Sequence, residues 1–318
     1  MRKLLLILLC LPFIGFGQSS TYIPDDNFEQ HLASIGLDGT GSIDNFVITS
    51  NINTLTFLYI SNKGISDLTG IQDFQALNLL WCDNNLLTTL DVSDNLYLDE
   101  LYCHNNQLTS LNVSSNMSLD RLDCYINQLT SLNINNCPNL ETLSCYQNQI
   151  NNLDLSNNTQ LTHLNCSANN LLSLNISNNS QLNTLDCSIN QISLLDLSNN
   201  NLSYIGCSNN NLSSLNLHNI IISDLTAFGS INNPALICVD VDNINSANSY
   251  LTSLNGNIDS WTTFSVDCST TSLNENYQLK KKLIKTVDVI GKIKNFKNNA
   301  LLLYIYDDGS VEKRIFIE

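Results

Sequence analysis

The stretch LTHLNCSANNLLSLNISNNSQ, from Leu161 to Gln181, decides how the chain is read, because its neighbours on both sides repeat it. Aligned on cysteine, the copies fall at Cys82, Cys103, Cys124, Cys145, Cys166, Cys187 and Cys207, five steps of 21 residues and a last one of 20. The common unit is L-x-x-L-x-C-x-x-N-x-[LI]-x-x-L-x-[LIV]-x-x-N-x-x, and its two halves resemble each other. In the copy opening at Leu98 the apolar positions are Leu98, Leu101, Cys103, Leu108, Leu111 and Val113. This spacing is neither that of a helix nor that of a simple strand. It predicts a coil in which a short strand points alternate residues inward, a turn follows, and a second extended segment returns along the other side. One coil cannot offset the entropy of its own ordering, so stacking is obligatory. Neighbouring coils then share ladder hydrogen bonds at about 4.8 Å spacing.

The asparagines supply the corners. Asn85, Asn106, Asn127, Asn148, Asn169, Asn190 and Asn210 fall three residues after the cysteines, where the strand must turn. A buried amide has two donors and an acceptor for backbone groups that no strand partner reaches. A second series runs Asn95, Asn116, Asn158, Asn179 and Asn200, with Cys137 in the third copy. Each ladder cysteine occupies an inward slot and reads as a small buried hydrophobe. In-register thiols on adjacent coils keep their Cβ atoms about 4.8 Å apart, beyond the roughly 3.5 to 4.5 Å that a disulfide uses. A straight column of thiols also presents no tetrahedron for zinc, so no metal and no cofactor is expected.

These residues resemble the leucine-rich repeat family, whose L-x-x-L-x-L-x-x-[NC]-x-L signature is matched with cysteine in the third leucine slot, as in LDELYCHNNQL from Leu98 to Leu108. The 21-residue form is similar to the irregular bacterial class, and LTFLYISNKGISDLTGIQDFQAL from Leu55 to Leu77 resembles the longer internalin-type repeat. The resemblance implies a β-rich solenoid: a right-handed leucine-rich repeat coil with a parallel sheet on its concave side, used mostly to bind other macromolecules.

The flanks set the organisation. Residues 1–17, MRKLLLILLCLPFIGFG, read as a signal peptide with Arg2 and Lys3 ahead of a short apolar run, and bulky Leu8 and Leu9 argue against a lipid anchor at Cys10. No later stretch is long and apolar enough to predict a membrane span. Residues 18–54 form an N-terminal cap in which Asp25 or Asp26 starts a helix, Phe28, Leu32 and Ile35 share its apolar stripe, and Gly36 ends it. The following DGTGSID lacks the glycine and glutamate of a calcium loop. The solenoid is assigned to 55–221, a C-terminal cap to 222–268 with Cys238 and Cys268 as a candidate disulfide, and a linker to 269–278. Residues 279–318 predict a small β domain, with strands around Leu283–Ile290, Ala300–Tyr306 and Val311–Ile317 and a turn at Asp308-Gly309. VDVIGK and LLLYIYDDGSVEKRIFIE resemble the C-terminal sorting domain of the type IX secretion system, although the usual proline-asparagine-proline opening is missing. That resemblance implies the type IX secretion machinery as a partner and a secreted or cell-surface location.

Charge and motif content narrow the function. Between Gln18 and Ser269 lie only two of the 13 basic residues, Lys63 and Arg121, with most of the 29 acidic ones. Such a body repels phosphate backbones, so nucleic acid is not an expected partner. His31, His104, His163 and His218 sit in different elements, and no G-x-S-x-G, H-E-x-x-H or phosphate loop appears, so an enzyme is not expected. Binding has more support. Alternation turns the residues flanking each ladder cysteine outward. Those of the early coils are Trp81 and Asp83, Tyr102 and His104, Asp123 and Tyr125, and Tyr146, with Glu100 and Arg121 one step further along the same strands. Aromatic faces beside polar groups suit a protein or glycan ligand, and an exported adhesion module is the first reading. The alternative is a structural spacer or surface-coat protein in which outward aromatics simply fill a ladder.

Overall fold

The computed structural model describes residues 19–39 and 41–269, together with three strands between 283 and 315. The signal-like segment with Cys10, all but the first residue of the 269–278 linker, and the Asp308-Gly309 turn lie outside the described residues. The chain divides into one unit ending at Val266 and another beginning at Asp267.

Repetition in the first unit produces a parallel β-solenoid of about ten turns. Nine three-residue strands form one sheet: Phe57–Tyr59, Leu79–Trp81, Glu100–Tyr102, Arg121–Asp123, Thr142–Ser144, His163–Asn165, Thr184–Asp186, Tyr204–Gly206 and Ala227–Gly229. Their register keeps Leu58, Leu80, Leu101, Leu122, Leu143, Leu164, Leu185, Ile205 and Phe228 in one inward column. The strands are therefore centred on this leucine, and each ladder cysteine follows just past the strand end. Backbone pairing carries on through it, for the Cys82 N–H donates to the Tyr102 carbonyl at 2.9 Å. Two residues beyond each thiol the chain enters the left-handed region, at Asn84, Asn105, Ile126, Gln147, Ala168, Ile189 and Asn209, with φ between 50° and 55°. That conformation turns the strand out of the sheet and limits its length.

Across the coil, single bridges join Asp91, Asn112 and Asn133. Further on, a second parallel sheet of four strands forms from Leu194–Asp196, Ser214–Asn216, Cys238–Asp240 and Thr263–Ser265. Stacking thus continues past residue 221, where the sequence places the end of the solenoid. Inward slots remain filled there by Leu236, Val239 and Val241, but longer loops and the helix Ile244–Tyr250 break the 21-residue spacing.

The cap helix runs Asp26–Ser34 with Asp25 as its N-cap, accepting from the Asn27 and Phe28 N–H groups. The other Asp25 oxygen accepts from the Ser66 N–H and hydroxyl and from the Asp67 N–H, which ties the cap to the first coil. Burial pushes the Asp25 carboxyl up, yet these hydrogen bonds hold it below its ordinary value. Phe28 and Leu32 are fully buried, whereas Ile35, expected on the same stripe, is half exposed because it caps the helix before Gly36 reverses the chain. Glu29 is buried, and its oxygens accept from the N–H groups of Asp44, Asn45 and Phe46 at 3.0 to 3.1 Å. Those bonds hold the segment that pairs antiparallel with Ser20–Tyr22. In the second unit, Leu283–Asp288, Leu301–Tyr306 and Val311–Ile315 make a three-stranded antiparallel sheet.

Candidate binding face

Two kinds of column line the interior. Cys82, Cys103, Cys124, Cys145, Cys166, Cys187 and Cys207 are free and completely buried, and burial raises every one of these thiols. Cys238 and Cys268 differ, both being disulfide-bonded. Beside the thiols, the amides of Asn85, Asn106, Asn127, Asn148, Asn169, Asn190 and Asn210 each donate to backbone carbonyls of their own coil and the preceding one. The second asparagine series works on the far side, where Asn95 and Asn116 each donate to two carbonyls of the preceding coil. Cys137 reaches the Val113 carbonyl only through a long Sγ contact of 3.7 Å. The interior is thereby committed to holding the stack, which leaves the outer face of the nine-stranded sheet as the candidate binding surface.

On that face the aromatics of the early coils form two rows. In the first, Phe57, Tyr59, Trp81 and Tyr102 follow one another, with ring centroids 5.8, 5.0 and 5.0 Å apart in tilted or edge-on contacts. Phe57, Tyr59 and Trp81 are 54%, 49% and 38% exposed. The Arg121 guanidinium closes the row 5.2 Å from the centre of the Tyr102 ring. In the second row His104, Tyr125 and Tyr146 stack face to face, with centroids 4.1 and 4.3 Å apart and planes within 15°. Burial, reinforced by Tyr146, pushes the Tyr125 phenol up to about 12.

Polar groups between the rows are more covered than alternation alone implies. Asp83 and Asp123 point to this face but are 9% and 5% exposed. Asp83 accepts from the Ser61 hydroxyl, from Asn84 and lies 3.5 Å from His104 Nε2, while Asp123 takes the Arg121 guanidinium at 3.1 Å. Long neighbours fold over these short side chains, so neither presents an open carboxylate. Burial lowers the His104 imidazole below its ordinary value against the pull of Asp83 and Asp123. The Tyr102 hydroxyl donates to Glu100 at 2.6 Å, and burial followed by that carboxylate raises its pKa.

Phe57 and Tyr59 belong to the face, although the cysteine alignment passes over them because Ile60 stands in the thiol slot of the first coil. Beyond Tyr146 the second row gives way to Ser167, Ser188 and Ser208, and beyond Tyr102 the first gives way to Asp123, Ser144, Asn165, Asp186 and Gly206. Among the described residues, no group of three or more potential ligands could hold a metal ion. No helix among them is long and apolar enough to cross a membrane.

This stack of parallel coils with inward leucines, thiols and corner asparagines is a leucine-rich-repeat solenoid. No family model matches the chain. Internalin J of Listeria monocytogenes serotype 4b (strain F2365) is 36% identical over 83 residues, 25% of this chain and 9% of the relative. The solved functional domain of InlJ from Listeria monocytogenes, which includes a cysteine ladder, superimposes with a TM-score of 0.51 at 32% identity. That match covers 70% of this chain and 52% of the other. Internalin C2 from Listeria monocytogenes (0.51, 24% identity, 69% and 94% covered) and a leucine-rich-repeat protein from Leptospira interrogans (0.52, 20%, 68% and 57%) share the fold. The chain is an internalin-like leucine-rich-repeat protein with repeats of about 21 residues. It spans about half of the solved InlJ domain and a small fraction of Internalin J.

Proposed function

We propose that this is an exported, non-enzymatic recognition or adhesion module that grips a protein partner on the sheet face of its early coils. The observation that carries the reading is the contiguous, half-exposed row of Phe57, Tyr59, Trp81 and Tyr102 ending at Arg121. Aromatic anchors beside an arginine are the composition of protein hot spots. A glycan fits less well, because sugar stacking needs open ring faces, while His104, Tyr125 and Tyr146 cover one another's faces and Arg121 lies over Tyr102.

Trp81→Ala combined with Tyr102→Ala and Tyr125→Ala tests it. Retained circular dichroism with lost capture of the protein hits from an array of host and surface proteins supports recognition. Unchanged capture and surface retention favour a spacer, a reading that draws on the His104–Tyr125–Tyr146 stack as a purely structural ladder. For export, the C-terminal unit is proposed as a type IX sorting domain, on the resemblance of VDVIGK and YDDGS and on three antiparallel strands. Ending the chain at Gln278 is expected to strand it in the periplasm. Normal appearance outside the cell removes the assignment.

A further inference from the structure

We propose that the sheet face carries a second feature beyond the aromatic rows: a pocket for one arginine side chain of the protein partner. It lies in the later coils, where the rings give way to small residues. A cavity of about 260 Å³ opens there, lined among others by His163, Leu164, Asn165, Thr184, Asp186 and Tyr204. Its size suits a single long side chain, since Thr184 offers carbon contact to a methylene stem and Tyr204 supplies a ring.

The charge at the site is set by Asp186. Its Oδ1 accepts the Ser188 N–H at 3.0 Å, which fixes the carboxylate, and no hydrogen bond engages Oδ2 among the described residues. In sheet register Asp186 stands opposite Gly206, and Thr184 opposite Tyr204. A Cβ at residue 206 would meet Asp186 Oδ1 at 2.7 Å and Cγ at 3.0 Å, so glycine is what lets the carboxylate lean across the next coil. The body holds only two basic side chains: Arg121 is paired with Asp123, and neither it nor Lys63 forms an ion pair with Asp186. The first unit thus presents an oriented carboxylate beside an aromatic ring, and among the described residues no cation of that unit pairs with it.

A guanidinium matches this set better than an ammonium. It is planar and weakly hydrated, it stacks on a tyrosine ring, and it pairs with a carboxylate through a rigid fork. The inference rests on the recognition reading and adds to it the kind of residue that the partner must present and the place where that residue seats.

The test uses the full mature protein and three blocked tripeptides, Gly-Arg-Gly, Gly-Lys-Gly and the citrulline analogue, titrated by calorimetry and amide chemical shifts. The arginine peptide should bind with shifts centred on Thr184–Ser188 and Tyr204–Gly206. Citrulline has the same shape without the charge and should bind about tenfold more weakly, as should the arginine peptide to Asp186→Asn. That isosteric change keeps the bond to Ser188. Asp154→Asn removes the same charge from an exposed turn elsewhere and should leave binding unchanged. Gly206→Ala should weaken binding by displacing the carboxylate. No binding, equal binding of arginine and citrulline or of arginine and lysine, or equal losses in Asp186→Asn and Asp154→Asn each overturn the pocket. Should Asp186→Asn fail to fold, the citrulline comparison on the unaltered protein decides alone. Trp81→Ala should leave peptide binding intact. Failure of the peptides beside retained, aromatic-dependent partner capture removes the pocket and leaves the recognition reading standing.

Discussion

The Nδ2 of Asn106 lies 3.0 Å from the carbonyl oxygen of Cys82, a residue of the preceding coil. The same nitrogen reaches the Cys103 carbonyl of its own coil at 3.1 Å, and Oδ1 accepts the Leu87 N–H at 3.0 Å. One amide therefore joins two rungs at a corner where the backbone has left the sheet. Leucine at this position leaves several buried polar groups short of a partner, at about 1–3 kcal/mol each. Asn106→Leu is expected to lower stability by about 3 kcal/mol, read as the urea midpoint of the mature protein. Gln107→Ala, on the exposed side of the same turn, should stay within about 0.5 kcal/mol of the parent.

The thiol column predicts a steep alkaline limit. Burial raises all eight free thiols from an ordinary value of 9.0, with Cys137 at about 11 and Cys145 and Cys207 at about 12. In the window from pH 9 to about 11 or 12 the unfolded chain has lost these protons while the folded one keeps them, so stability falls as pH rises. Each thiol contributes a slope of up to about 1.4 kcal/mol per pH unit there, and nothing well below pH 9. Urea midpoints should be flat near neutrality and collapse above about pH 9, and Cys124→Ala with Cys145→Ala should make that fall shallower. An unchanged slope in the double variant would show that the thiols do not set the limit.

Columns that recur every 21 residues were legible from the sequence because each coil reports the same inward leucine, thiol and asparagine, and stacking leaves such residues one place to go. What escaped was the content of single rungs. Phe57 and Tyr59 were missed because Ile60 replaces the thiol that marks the other copies. Alternation placed Asp83 and Asp123 on the outer face, but their cover comes from His104 and Arg121, side chains whose reach a period cannot give. The stack outran residue 221 because Leu236, Val239 and Val241 fill inward slots at irregular spacing. The pocket at Asp186 depends on a missing Cβ one coil away, a relation between columns that a linear pattern does not display.

Gly70 joins the cap to the first coil. Its φ is +103°, and a Cβ there would come within 2.2 Å of Ile23 Cδ1 and 2.7 Å of the Tyr22 carbonyl oxygen. The backbone oxygen cannot move without breaking the pairing of Ser20–Tyr22 with Phe46–Ile48. Gly70→Ala should cost at least about 2 kcal/mol and release the cap strand to amide exchange before the solenoid opens. Gly256→Ala has a positive φ of 72° but nothing within 4 Å, so it should cost about 1 kcal/mol of conformational strain alone.

Ile189 carries the opposite kind of strain, one that substitution can relieve. Its φ is 55°, in the left-handed region that β-branched residues disfavour, and it is 57% exposed. The equivalent corners at Asn84, Asn105 and Asn209 use asparagine, which tolerates this conformation. Because the isoleucine side chain is mostly in water, little burial is lost on replacing it, and the conformational gain dominates. Ile189→Asn should therefore raise stability by about 1 kcal/mol in the urea midpoint, and Ile126→Asn, at a φ of 50°, by somewhat less because its side chain is more covered at 38% exposure. A loss of stability in Ile189→Asn would mean that the isoleucine makes contacts worth more than its strain.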